Sequence, residues 1–116
     1  MVVEDIRNAI KKRAETDDEW DFGVEKCWEE EIAILSENID DTIFFFENKC
    51  TADEFSWLSE IFEELIENQP DDRIIKILKK TAEKYPEECK KYNIMDFIDS
   101  AEARLHFLLD SGNKYK

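Results

Sequence analysis

A chain of 116 residues with 30 acidic and 16 basic side chains has a formal net charge of −14. A field of that sign repels phosphate backbones, which excludes nucleic acid as a direct ligand. The length suits one modest core and therefore one domain. Two glycines and two prolines among abundant Glu, Lys, Ile and Leu exclude a turn-rich sheet protein and predict an all-α fold.

The opening Met1–Arg7 lacks the basic start and apolar run of a signal peptide, so export is not expected. Val2, Val3, Ile6, Ile10 and Ala14 recur at helical spacing, with Arg7, Lys11, Lys12 and Arg13 on and beside the opposite face, predicting a short amphipathic helix. Thr16-Asp17-Asp18 offers cap residues for a second helix, whose stripe of Trp20, Val24, Cys27, Trp28, Ile32 and Leu35 runs to about Ser36. Gly23 weakens its first turn.

Ile43-Phe44-Phe45-Phe46 is a short apolar run that periodicity alone cannot assign, and Asp40-Asp41-Thr42 before it tilts residues 39–49 to helix. Thr51-Ala52-Asp53-Glu54 matches a capping box opening a helix with the stripe Phe55, Leu58, Ile61, Phe62, Leu65 and Ile66, ended by Asn68-Gln69-Pro70. Pro70 or Asp71 opens the next helix, with Ile74, Ile75, Leu78, Ala82 and Tyr85, and Pro86 begins a short turn through Tyr92. A last helix spans about Ile94 to Leu109, with Ser111-Gly112-Asn113 as its C-cap.

The expected fold is thus a single helical domain over residues 1–110, of about five to seven short helices packed as antiparallel or orthogonal hairpins, followed by a flexible tail over 111–116. No stretch approaches 18 uninterrupted apolar residues, so membrane spanning is not expected. Cys27, Cys50 and Cys89 are odd in number and lack CxxC spacing, which favours reduced, mostly buried thiols in a cytoplasmic protein.

Charge is concentrated. Residues 15–67 hold nineteen acidic and two basic side chains, a balance of −17, while both flanks are weakly positive. Glu-rich helices can be plain solvated faces, but such a field also steers a basic partner and raises its rate of association. Within it, Trp20 and Phe22 are interleaved with Asp17, Asp18, Glu19 and Asp21, so that Trp20 is either a core side chain, its more usual role, or an anchor of a recognition surface. Glu31 borders the apolar stripe of its helix, so that it is either partly buried or pointed at a partner or, the more usual case and the one expected, reaches solvent.

Signs of catalysis are sparse. His106 stands alone in an apolar helical segment and reads as a structural histidine at the core edge. Glycines at 23 and 112 cannot build a phosphate loop. Glu29-Glu30 and Glu60-x-x-Glu63-Glu64 could in principle hold magnesium for a nucleotide pyrophosphohydrolase, but such pairs arise by chance in so acidic a chain. No cofactor or metal is expected.

Thr51–Glu67, TADEFSWLSEIFEELIE, and Glu83–Asn93, EKYPEECKKYN, give the chain a resemblance, over about Trp20 to Leu105, to the small all-helical immunity proteins of bacterial contact-dependent inhibition and polymorphic toxin systems. The resemblance implies a non-catalytic antitoxin that binds a cognate secreted or contact-delivered toxin domain in the cytoplasm. A basic toxin, an RNase or a DNase, would suit the acidic middle, which would cover its active site or substrate groove. The expected contact residues are Asp17, Asp18, Glu19, Trp20, Asp21, Glu29, Glu30, Asp40, Asp41, Asp53 and Glu54. The alternative is a helical adaptor whose acidity serves solubility. The chain would be a monomer, or a weak homodimer through exposed aromatics such as Phe44, Phe45 or Trp57.

Overall fold

A computed structural model describes residues 3–114, with side chains to residue 110. Eight helices and no strand occur among the described residues: α1 (Val3–Glu15), α2 (Asp21–Ser36), α3 (Ile39–Asn48), α4 (Ala52–Ser59), α5 (Phe62–Asn68), α6 (Asp72–Lys84), α7 (Pro86–Tyr92) and α8 (Ile94–Lys114). The all-α class is therefore shown, with these eight helices against the five to seven expected: the segment expected as a short turn after Pro86 is the helix α7, and the stripe from Phe55 to Ile66 is broken. After Ser59 the Ile61 amide bonds the Leu58 carbonyl at 3.0 Å, a tight turn that ends α4, and α5 restarts at Phe62. Leu58, Ile61, Phe62, Leu65 and Ile66 are all buried across the break.

Local chemistry sets the boundaries. The capping box on α4 forms as expected, the Glu54 amide donating to the Thr51 hydroxyl at 3.2 Å and the Thr51 amide to the Glu54 carboxylate at 3.0 Å. Asn38 caps α3 by accepting from the Asp41 amide, and Asp71 caps α6 by accepting from the Arg73 amide. Pro86 occupies the first turn of α7, and Asn93, at φ 54°, turns the chain into α8. Thr16-Asp17-Asp18 does not cap α2: Asp17 folds into a turn, accepting from the Glu19 amide at 3.0 Å, and α2 starts only at Asp21. Nor does Ser111-Gly112-Asn113 end α8, whose backbone continues to Lys114, so residues 111–114 of the expected tail are helical and 115–116 lie outside the described residues.

α5 packs on α8, α1 on α2 and α3 on α6, around one core cluster. At its centre Phe46 meets Phe45, Phe55 and Phe62 with ring centroids 5.6, 6.2 and 6.3 Å apart in edge-to-face geometry. The apolar run of α3 is therefore helix, with Phe45 and Phe46 fully buried and Phe44 exposed. Burial removes Phe45 from the aromatics through which two copies could meet, and leaves Trp57 half-buried. Thr81 ties α6 to α3 by donating to the Phe46 carbonyl at 3.2 Å, and Tyr85 donates to the Cys50 carbonyl at 2.7 Å.

Ala14, Arg13 and His106 are placed differently from the expectation. Ala14 is exposed, while Arg13, expected at the basic edge of α1, is buried with Ile6, Ala9 and Ile10. His106 is exposed, on the outer side of α8. All three cysteines are buried, and none is in a disulfide. No helix among the described residues is long and apolar enough to cross a membrane.

Candidate functional site

Arg13 joins three elements. Its guanidinium donates to both oxygens of Glu60, at 2.9 and 2.7 Å, and through a third nitrogen to Asp18 at 2.9 Å, and it lies 5.2 Å from the centroid of the Trp57 ring. The Trp28 indole N–H completes Glu60 at 3.0 Å. The link before α2, the junction after α4 and the body of α1 are thereby fixed to one cation. Burial works to lower the Arg13 pKa, but the hydrogen bonds it donates to Glu60 and Asp18, with the charges of those two carboxylates, outweigh it and hold the pKa above its ordinary value.

Glu31 lies beside this cluster and reverses the expectation that it would reach solvent. It is 0% exposed, and neither carboxylate oxygen has a hydrogen-bond partner among the described residues. Burial, reinforced by the charge of Glu60, pushes its pKa up to about 8 against the weaker pull of Arg13. Sequence reasoning puts Arg13 on the basic edge of α1 and burial of Glu31 only as the lesser alternative, although the same signal marks both. Each continues an apolar stripe at three- and four-residue intervals, Ile6-Ala9-Ile10-Arg13 and Val24-Cys27-Glu31-Leu35. Following spacing strictly, without regard to residue type, would have found them.

The eleven expected contact residues fall into two sets. Asp18, Glu30, Asp40 and Glu54 are paired within the chain, to Arg13, Lys12, Arg73 and Arg7 respectively. Asp17, Glu19, Trp20, Asp21, Glu29 and Asp53 are exposed, as is Asp41 in the first turn of α3. Asp17 to Asp21 come together with Glu30 through α1: Arg13 holds Asp18, Lys12 holds Glu30, and Trp20 and Glu30 line one shallow groove with Lys12, Gly23 and Lys26. Asp53 lines a different cavity with Glu60, on the far side of the Arg13 cluster. Asp40 and Asp41, at the start of α3, line neither.

Trp20 is not a core residue. It is 60% exposed, beside Phe22 at 61%, with ring centroids 6.3 Å apart. Gly23 permits this arrangement, since the indole lies so close that a Cβ there would meet its Cε3 at 2.3 Å. The pair forms an apolar ridge among Asp17, Asp18, Glu19 and Asp21, and the Lys26 ammonium sits 5.5 Å from the Phe22 ring centroid. Large exposed aromatics ringed by charge are the composition of interface anchors.

Other features carry less chemistry. A cavity of about 570 Å³ between α6, α7 and α8 is lined by Lys79, Glu83, Lys90 and Asp96 around Cys89, a thiol whose pKa burial raises and whose reactivity is correspondingly low. Among the described residues no three His, Cys, Asp or Glu side chains converge on a metal position. Of the carboxylates considered for magnesium, Glu60 is taken by Arg13 and Trp28, Glu30 by Lys12, and Glu63 and Glu64 face solvent. Comparison with family models, with curated proteins and with solved structures found no match to this chain.

Proposed function

We propose that the chain is an antitoxin-type immunity protein, which binds a basic toxin domain, a nuclease, and covers its active site or substrate groove. The observation that carries this reading is the exposed Trp20–Phe22 ridge set among carboxylates, an apolar anchor inside an anion field. A nuclease groove must attract phosphate and is therefore cationic, so its inhibitor needs the opposite sign. The −17 balance of residues 15–67 supplies steering, and the two aromatic rings supply apolar contact area. Fixing the α1–α2 link through Arg13 and Asp18 further prepares the surface before any partner arrives.

The test is co-expression with the toxic domain encoded beside the gene, scoring survival and co-purification. Rescue with a stable complex that Trp20→Ala weakens supports the reading. Toxicity without rescue or complex overturns it and leaves the helical adaptor.

A further inference from the structure

We propose that the cavity between α4, α7 and α8 is a receptor for one arginine side chain of a basic partner protein. The inference rests on the reading of a cationic partner and locates a second anchor point for it, apart from the Trp20 ridge. The cavity measures about 290 Å³ and is lined by Asp53, Ser56, Trp57, Glu60, Tyr92 and Phe97. Asp53, Ser56, Trp57 and Glu60 are spaced three and four apart, so α4 and its C-cap Glu60 present them on one face. Tyr92 closes α7, and Phe97 enters from the first turn of α8; both rings remain nearly half exposed, at 47% and 41%.

Three aromatic rings and two carboxylates around so small a volume select a cation. The volume falls just below the roughly 300–1,000 Å³ of cavities that hold whole cofactors or drug-sized ligands, which leaves room for a side chain. Aromatic faces attract cations through their quadrupole, and guanidinium, planar and weakly hydrated, stacks best. Two of the rings already hold a cation over a face: the Arg13 guanidinium lies 5.2 Å from the Trp57 centroid and the Lys91 ammonium 5.2 Å from that of Tyr92, yet neither Arg13 nor Lys91 lines the cavity. Glu60 is engaged by Arg13 and Trp28, which leaves Asp53, with no ion-pair partner among the described residues, as the carboxylate for an incoming guanidinium. The arriving side chain would meet Asp53 at the rim and the rings within.

The experiment follows the indole N–H resonances of Trp57 and Trp20 in the full-length ¹⁵N-labelled chain during titration with N-acetyl-Arg-Arg-amide, with its citrulline counterpart and with spermidine. Saturable movement of the Trp57 resonance by the arginine peptide alone is expected, with affinity reduced about threefold or more by Asp53→Asn and by Phe97→Leu, the size of one exposed cation–π or ion-pair contact. Movement at Trp20 alone overturns the cavity while leaving the acidic surface as a cation-binding face. Movement at neither ring overturns both. An equal response to spermidine overturns the assignment to a protein side chain, and an unchanged response in both variants overturns the assignment to this cavity.

Discussion

The indole of Trp20 lies against the backbone of Gly23, where an added Cβ would come within 2.3 Å of Cε3 and 2.7 Å of Cζ3. Gly23 thus holds two opposing consequences in one position. Inside α2 an alanine would stabilise the helix by about 0.5–1 kcal/mol over glycine. The same methyl must push away a ring that is 60% exposed and free to swing out. Gly23→Ala is therefore expected to raise the urea midpoint slightly while changing Trp20 fluorescence and weakening partner binding. Loss of stability together with unchanged binding would contradict the role given to the ridge.

Glu31 makes a prediction in pH. Its carboxyl has an ordinary pKa of 4.5 when exposed in the unfolded chain and about 8 when buried in the folded one. Below the lower value both states are protonated and its full contribution to stability is present. As pH rises the unfolded chain ionises first, so stability falls, by up to about 1.4 kcal/mol per pH unit, until the folded carboxyl also ionises. Glu60, Arg13 and Glu30 are the charges acting on it, and none reverses this sign. Chemical denaturation at pH 6 and pH 8.5 should show wild-type stability dropping relative to Glu31→Gln, which keeps the shape and cannot ionise. Parallel pH profiles for the two proteins would show that the folded chain does not hold the proton.

Arg13 and Glu60 form a pair that should be costly to halve and cheap to remove whole. Arg13→Met leaves Glu60 without its bidentate partner, an expected loss of about 3–5 kcal/mol. Replacing both, as Arg13→Met with Glu60→Met, removes the orphaned carboxylate and should recover much of that loss. Thermal melts of the two single variants and the double variant close the cycle. Additive losses would mean that the pair is not coupled.

What could be read in advance follows from where the information sits. Thr51 and Glu54 encode a helix start in four residues, and Phe55 to Ile66 encode a buried stripe, so both were legible; the break at Glu60–Ile61 was not, because it serves packing against α8 and α2 rather than any local preference. Spacing places Arg13 and Glu31 each on the buried stripe of its own helix, but the bonds of Arg13 to Glu60 and the charge of Glu60 on Glu31 join them across a third junction, a relation absent from any single segment. Trp20 shows the converse error. Its size and stripe position pointed inward, but α2 begins only at Asp21, which places Trp20 before the helix and outside the core.

The division of the acidic residues into paired and exposed ones gives the last prediction. Glu19, Asp21 and Glu29 are exposed and have no ion-pair partner among the described residues, whereas Asp18, Glu30, Asp40 and Glu54 are engaged by basic side chains of α1 and α6. Reversing Glu19, Asp21 and Glu29 to Lys subtracts from the field without removing an internal contact, apart from a modest penalty of about 0.3–1 kcal/mol for a cation at the start of α2. Association with a basic partner should then slow by about tenfold or more at low salt and lose much of its salt dependence, with dissociation little changed, because rim charges act on encounter. Reversing Asp18 and Glu54 instead should lower stability, since Arg13 and the α4 capping box both lose an acceptor. Stopped-flow association at two ionic strengths beside a thermal melt separates the two effects. If the first set leaves association rates untouched, the acidic stretch does not steer, and its charge serves the protein in some way other than recognition.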